Sequence, residues 1–253
     1  MRGSRDEYTK ARSAICESLV GLYLRLNGYL LIPNYLLHRA RGKGFGLEAE
    51  VDYLGVRFPH QQEVLQEEQV QERVQENDED LVLPEDKPLV DFVIVEVKEP
   101  SVEFNRPIRG EGGQGHIADV IQMLGFWRQE AAVGAVAGHL YDEVRKDKWP
   151  EFPCFEDANE KVSVRMIVFS REGSKNSERR RFISLEHVFD FVRKRMERGV
   201  PCEPYREEGY SPWRGLTKRL VTALDRAQRG GHPHRDLDEF IAHVMALVFE
   251  ECG

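Results

Sequence analysis

The sequence predicts an α/β fold, a mixed central sheet with helices on its faces, and three observations carry that reading. A helical apolar pattern opens the chain. β-Branched apolar runs occupy residues 89–98 and "VSVRMIVFS", and helical periodicity returns both between those runs and along the tail. The 253 residues suit one large domain or a domain with an appendage. The expected division is an α/β core over residues 1–170 and a mainly helical C-terminal extension over 171–253.

Each element has its own local reason. Ile15, Leu19, Leu22 and Leu26 recur at helical spacing and Gly28 supplies a stop, which predicts one helix over residues 6–27. "YLLIPNYLLHRA" is apolar but interrupted by Pro33, and reads as a short strand followed by an irregular turn. "GLEAEVDYLGVRF" alternates as a strand from Ala49 to Phe58, and residues 89–98 form a second, more apolar one. Between them, residues 61–88 read as an acidic insertion, rich in Gln and Glu and poor in apolar groups. A glycine-rich loop, "NRPIRGEGGQG", precedes the helical pattern of "HIADVIQMLGFWRQEAAV". "VGAVAGHLY" and "VSVRMIVFS" read as strands, and the segments from "SLEHVFDFVRKRMERG" to "LDEFIAHVMALVFEE" as helices.

Composition excludes some classes. No stretch approaches the roughly 18 consecutive apolar residues of a membrane span, and "MRGSRDEYTK" lacks the apolar centre of a signal peptide. A soluble, cytoplasmic protein with no membrane partner is the expectation. Cys16, Cys154, Cys202 and Cys252 form no CxxC pair, so they read as buried thiols rather than a zinc knuckle or a disulfide framework. The 36 basic and 44 acidic residues give a net charge of −8, which at first argues against a nucleic-acid partner. Residues 61–88, however, hold ten acids against two bases and account for all of it, leaving the remainder electroneutral. Bases there cluster in "HRARGKG", "SREGSKNSERRRF" and "RKRMER" and across Arg214, Lys218 and Arg219, each a solvated face by itself but collectively able to meet phosphate.

The chemistry concentrates in "VDFVIVEVKEP". Strand alternation puts Phe92, Ile94, Glu96 and Lys98 on one face and Asp91, Val93, Val95 and Val97 on the other. Alone, an E-x-K at a strand end is common and reads first as a buried strand emerging into solvent and pairing its terminal charges. The preceding strand adds Asp52, with Glu50 on the same face, and neighbouring strands bring same-face side chains together. Two carboxylates on rigid strands suit Mg²⁺ or Mn²⁺, hard cations that keep several waters and take further ligands from a phosphate. The adjacent lysine could orient a water or stabilise charge on phosphoryl oxygens. Asp91, in "VDF", has the wrong parity to serve in place of Asp52. His232 and His234 flank Pro233 and read as part of a linker, and His116 as either a helix-start residue or a substrate contact.

At Asp52 and at "EVK" (Glu96, Val97, Lys98) the chain resembles the PD-(D/E)xK nuclease superfamily, with its restriction-endonuclease-like fold. Val51 stands where that motif has proline, and the 44 positions from Asp52 to Glu96 exceed the usual spacing, the excess lying in the acidic insertion. "ARSAICESLVGLYLRLNGY" is similar to the glutamate-bearing opening helix of the Holliday-junction-resolvase-like branch. "QMLGF" is similar to the QxxxY element of RecB-like members. The resemblance covers about residues 8–170. It implies a Mg²⁺- or Mn²⁺-dependent nuclease acting on nucleic acid, with DNA the expected substrate. Asp52, Glu96, Glu17 and Glu50 become candidate metal-site residues, and Lys98 and Gln122 further catalytic candidates. A homodimer is compatible with it. The competing class is a catalytically inactive relative serving as a nucleic-acid-binding or assembly subunit.

Overall fold

The computed structural model describes residues 5–41, 44–59, 90–99, 103–146, 154–157, 160–171, 182–197 and 215–250. The acidic segment 61–88 and the basic run 172–180 lie outside them. Two compact units emerge, a helical one and an α/β one, the latter bounded by Tyr29–Gln61 and Asp86–Ile183.

The helical unit gathers α1 (Arg5–Leu26) with α5 (Leu185–Glu197), α6 (Leu216–Arg229) and α7 (Leu237–Glu250). On α1, Ile15, Leu19, Leu22 and Leu26 predicted the helix, and the first three are buried with Cys16, Val20, Tyr23 and Leu24. The helix stops at Gly28, whose φ of 83° is in the left-handed region that glycine, lacking a Cβ, adopts without strain. Aromatic edges join the helices: Tyr23 meets Phe191 with ring centroids 5.2 Å apart, and Phe189 meets Phe240 at 5.1 Å.

Among the described residues the α/β unit has six strands, β1 (Leu30–Arg41), β2 (Gly44–Arg57), β3 (Val90–Lys98), β4 (Cys154–Asp157), β5 (Glu160–Ser170) and β6 (Phe182–Ser184). Their order is β1-β2-β3-β5-β4, with β6 also paired to β5. β1, β2 and β3 form an antiparallel meander, and β5 runs parallel to β3, so the sheet is mixed. The connection from β3 to β5 carries α2 (Arg106–Arg109), α3 (Gly113–Leu124) and α4 (Glu130–Lys146). Phe92 and Ile94 of β3 and Val164, Met166 and Val168 of β5 form one core with Ile117, Val120 and Ile121 of α3 and Val136, Ala137 and Leu140 of α4. At about 1.5–3 kcal/mol for each fully buried large aliphatic side chain, this layer is what fixes the sheet against the helices.

Three expectations need correcting. Residues 30–41 are one continuous strand rather than a short strand and turn, because β1 lies at the sheet edge, a position that accommodates Pro33 and its missing N–H donor. "VGAVAGHLY" is helical, inside α4. Its buried positions, Val133, Val136, Ala137, Leu140 and Val144, recur at three- and four-residue intervals, and the small residues between them conceal that period. The helical pattern read through Ile117, Ile121, Leu124 and Trp127 holds as far as Leu124, where α3 ends at Gly125 with a φ of 74°, and Trp127 lies before α4. The short strands β4 and β6 had no distinct signal. No described helix is long and apolar enough to cross a membrane.

Candidate functional site

The site forms where the β2–β3 ladder ends. The last paired residues are Tyr53 and Val95, and one further step sets Asp52 opposite Glu96. Backbone pairing gives way to a side chain at that step, for the Val97 amide donates to Asp52 Oδ2 at 2.6 Å. Val51 and Leu54, three positions apart, both join the helix-side core, a spacing that strict alternation does not give. Asn34, between the Pro33–Tyr53 and Tyr35–Val51 pairs of β1, has a φ of 49°. The β1–β2 register is unshifted across this point, so no residue is inserted at Asp52; Asp52 keeps the parity of Leu54, lies opposite Glu96, and its carboxylate reaches β3.

Glu96 is fully buried, and Lys98 Nζ lies 2.6 Å from its Oε2. Asn105 Nδ2 donates to Glu96 Oε1 and Oε2 at 2.9 and 3.0 Å, and to the Glu50 carbonyl at 3.2 Å. Sequence reasoning missed Asn105. An asparagine before a proline-led helical turn signals an N-cap, and Asn105 does occupy that position before α2, but its side chain makes no capping bond. It is diverted to the carboxylate.

Burial dominates the electrostatics. Desolvation pushes the Glu96 carboxyl up from 4.5 to about 7, helped by the Asp52 charge and opposed by Lys98 and the Asn105 amide. Asp52 is also raised, first by desolvation and then by Glu50, against the Val97 amide and Lys98. Two adjacent carboxyls therefore resist ionisation together, with the Lys98 ammonium paired to Glu96.

The other sequence-derived candidates fall elsewhere. Glu50 is exposed and acts on Asp52 through its charge. Gln122 is exposed in the last turn of α3. Glu17 belongs to the helical unit, where it accepts a hydrogen bond from Ser13 Oγ at 3.1 Å. His116 is buried on α3. His232 is exposed, whereas His234 is buried with Nε2 2.8 Å from His243 Nδ1. Asp91 serves a different structure: it is buried against Arg165, whose Nε donates at 3.1 Å, against Arg57 at 3.4 Å and against the Tyr29 hydroxyl.

Among the described residues no group of three or more His, Cys, Asp or Glu side chains is placed to hold a metal ion. The donor set of Asp52 and Glu96 nonetheless fits Mg²⁺ or Mn²⁺, since such ions bind through one or two carboxylates and complete their shell with water and phosphate oxygens. Fold and site together define an α/β protein with an acidic pair and a lysine at the end of two antiparallel strands. In comparisons with known families, with characterised proteins and with solved structures, nothing matches this chain.

Proposed function

We propose that the protein is a metal-dependent nuclease hydrolysing phosphodiester bonds in nucleic acid, with DNA as the substrate expected from the PD-(D/E)xK resemblance. The observation that carries the reading is the assembly of Asp52, Glu96 and Lys98 at one point, the two carboxyls both raised by burial. The order of elements supports it: an antiparallel meander ending in the E-x-K strand, a helical crossover, and a strand parallel to the third, as in restriction-endonuclease-like folds.

In this mechanism Asp52 and Glu96 would hold Mg²⁺ or Mn²⁺. When bound, the ion polarises the phosphate and lowers the pKa of a coordinated water. Asn105 orients the Glu96 carboxylate by donating to both of its oxygens. Lys98, 23% exposed, places an ammonium at the solvent side of the buried acid, where it can orient the attacking water and offset charge on the phosphoryl oxygens. Water adds to phosphorus and the ester P–O bond to the leaving sugar oxygen breaks.

Labelled single-stranded, double-stranded and branched DNA and RNA, incubated with Mg²⁺, Mn²⁺ or EDTA, test the reading. Cleavage should need the cation, and Lys98→Ala should lower it by at least about 100-fold, the scale of one electrostatic catalytic group, with the fold retained. A folded Lys98→Ala that cuts at the wild-type rate refutes the assignment, and inactivity on every substrate with DNA binding retained favours the binding subunit.

A further inference from the structure

Helix α6 has a charge pattern that its own stability does not explain. Leu220, Val221, Ala223 and Leu224 are buried, and on the other side Lys218, Arg219, Arg226 and Arg229 fall within an arc of about 100°, counting 100° per residue. Asp225 is the helix's one acid, so α6 carries a net charge of +3 on a chain whose total is −8. Arg226 and Arg229 occupy the last turn, where cations complement the helix dipole. Lys218, exposed, does not: it sits in the first turn, which has no acidic residue and where positive charge opposes the dipole. Two arginines at the C-terminus would have served capping; a stripe running the whole helix against the dipole at one end serves something outside it.

The stripe is accessible. Lys218, Arg226 and Arg229 are exposed, and Arg229, paired to Asp225 at 3.1 Å, keeps 67% of its side-chain surface. From Lys218 to Arg229 it spans about 16 Å at 1.5 Å per residue, enough to follow several phosphates of one strand. Gln228 Nε2 donates to the Glu197 carbonyl at 3.1 Å, which brings the C-terminal end of α5, with Lys194 exposed, beside the C-terminal end of α6. The apolar side of α6 is committed to the helical core, so no face remains to enter a lipid bilayer, and the repeated point charges match a polyanion.

The geometry points to the α6 stripe of Lys218, Arg219, Arg226 and Arg229 as a docking surface for the phosphate backbone of nucleic acid. It rests on the nuclease reading for the choice of polyanion, and it assigns to the helical unit a share of substrate affinity separate from the carboxylate site. Recognition of this kind is indifferent to base sequence and falls steeply with salt.

The test is binding of the full chain to a fluorescein-labelled DNA duplex, by anisotropy in EDTA over a KCl series, so that cleavage plays no part. The triple variant Lys218→Gln, Arg226→Gln and Arg229→Gln keeps helix propensity, and circular dichroism establishes that it folds. Losing three phosphate contacts should reduce the slope of log Kd against log salt by about 2.7, so that between about 50 and 200 mM the wild type loses about 40-fold more affinity than the variant. Equal slopes for the two folded proteins overturn the proposal, whether or not the wild type cleaves. Binding to anionic vesicles but not to the duplex also overturns it. Stripe-dependent binding by a wild type that never cleaves with Mg²⁺ or Mn²⁺ upholds the surface and sinks the nuclease reading.

Discussion

Replacing Glu96 by Gln should make the protein relatively more stable as pH rises. The carboxyl is fully buried and its pKa stands at about 7 against an ordinary 4.5. A raised acid binds its proton more tightly in the native than in the unfolded state, so between those two values the native protein keeps a proton that the unfolded chain has released. Its contribution is complete below the unfolded pKa and is lost as pH climbs through the folded one. With about 1.4 kcal/mol per pKa unit, the loss is about 3 kcal/mol. Glutamine has a similar shape and no charge, so Glu96→Gln escapes this decline. Whatever fixed cost the amide carries, the stability difference, variant minus wild type, should move by about 3 kcal/mol in the variant's favour from pH 4 to pH 8. Urea unfolding at several pH values in EDTA, to keep cations from the acidic pair, measures it. A constant difference across that range would show that Glu96 ionises as an ordinary carboxyl. A difference moving the other way would show that Lys98 outweighs burial.

Because the ion needs an ionised Glu96, Mn²⁺ affinity measured calorimetrically should weaken about tenfold per pH unit below 7, with proton release on binding; affinity flat from pH 5 to 8 would exclude Glu96 as a ligand. Asp52→Asn should lose Mn²⁺ binding with little change in folding, whereas Asp91→Asn should keep it but destabilise by about 3–5 kcal/mol, the cost of stripping a partner from buried Arg165. The reverse pattern in the same titration would move the metal site to the other face of β3. Asn105→Ala removes the amide donor of Glu96 and should raise its pKa further, so the midpoint of the pH-dependent Mn²⁺ affinity should shift upward; an unmoved midpoint would leave Asn105 only a packing role.

What the sequence made legible followed from periodicity and parity. The opposite facing of Asp91 and Glu96 was readable because β3 has no irregularity between them, and β5 because its β-branched residues leave no helical alternative. The helical α4 was not, since Val133, Gly134, Ala135, Val136 and Ala137 satisfy both periods over a short window and only packing against β5 decides. Asp52 was recognisable by its parity on β2, but the hydrogen bond its carboxylate accepts from the Val97 amide was not, because that contact depends on where the β2–β3 ladder ends. Asn105 was hidden for another reason. Its sequence context specifies the local role of helix cap, and the competing role depends on a carboxylate nine residues back that becomes a neighbour only once β3 and α2 are in place.

The diverted asparagine ties the order of one helical turn to the strength of an acid. The turn Arg106–Arg109 begins without a side-chain cap, which costs a short helix on the order of 1 kcal/mol. It is held instead by the Asn105 carbonyl, which accepts from the amides of Ile108 and Arg109, and by the tight seat of Gly113, where a Cβ would come within 1.9 Å of the Ile108 oxygen. Unwinding that turn would withdraw from Glu96 the amide that lowers its pKa, while any water admitted would weaken the burial that raises it, so the titration of the acid depends on the order of the segment. The order of the turn and the strength of the acid are then coupled through Asn105, and hydrogen exchange at the Ile108 amide should respond to the pH range in which Glu96 titrates.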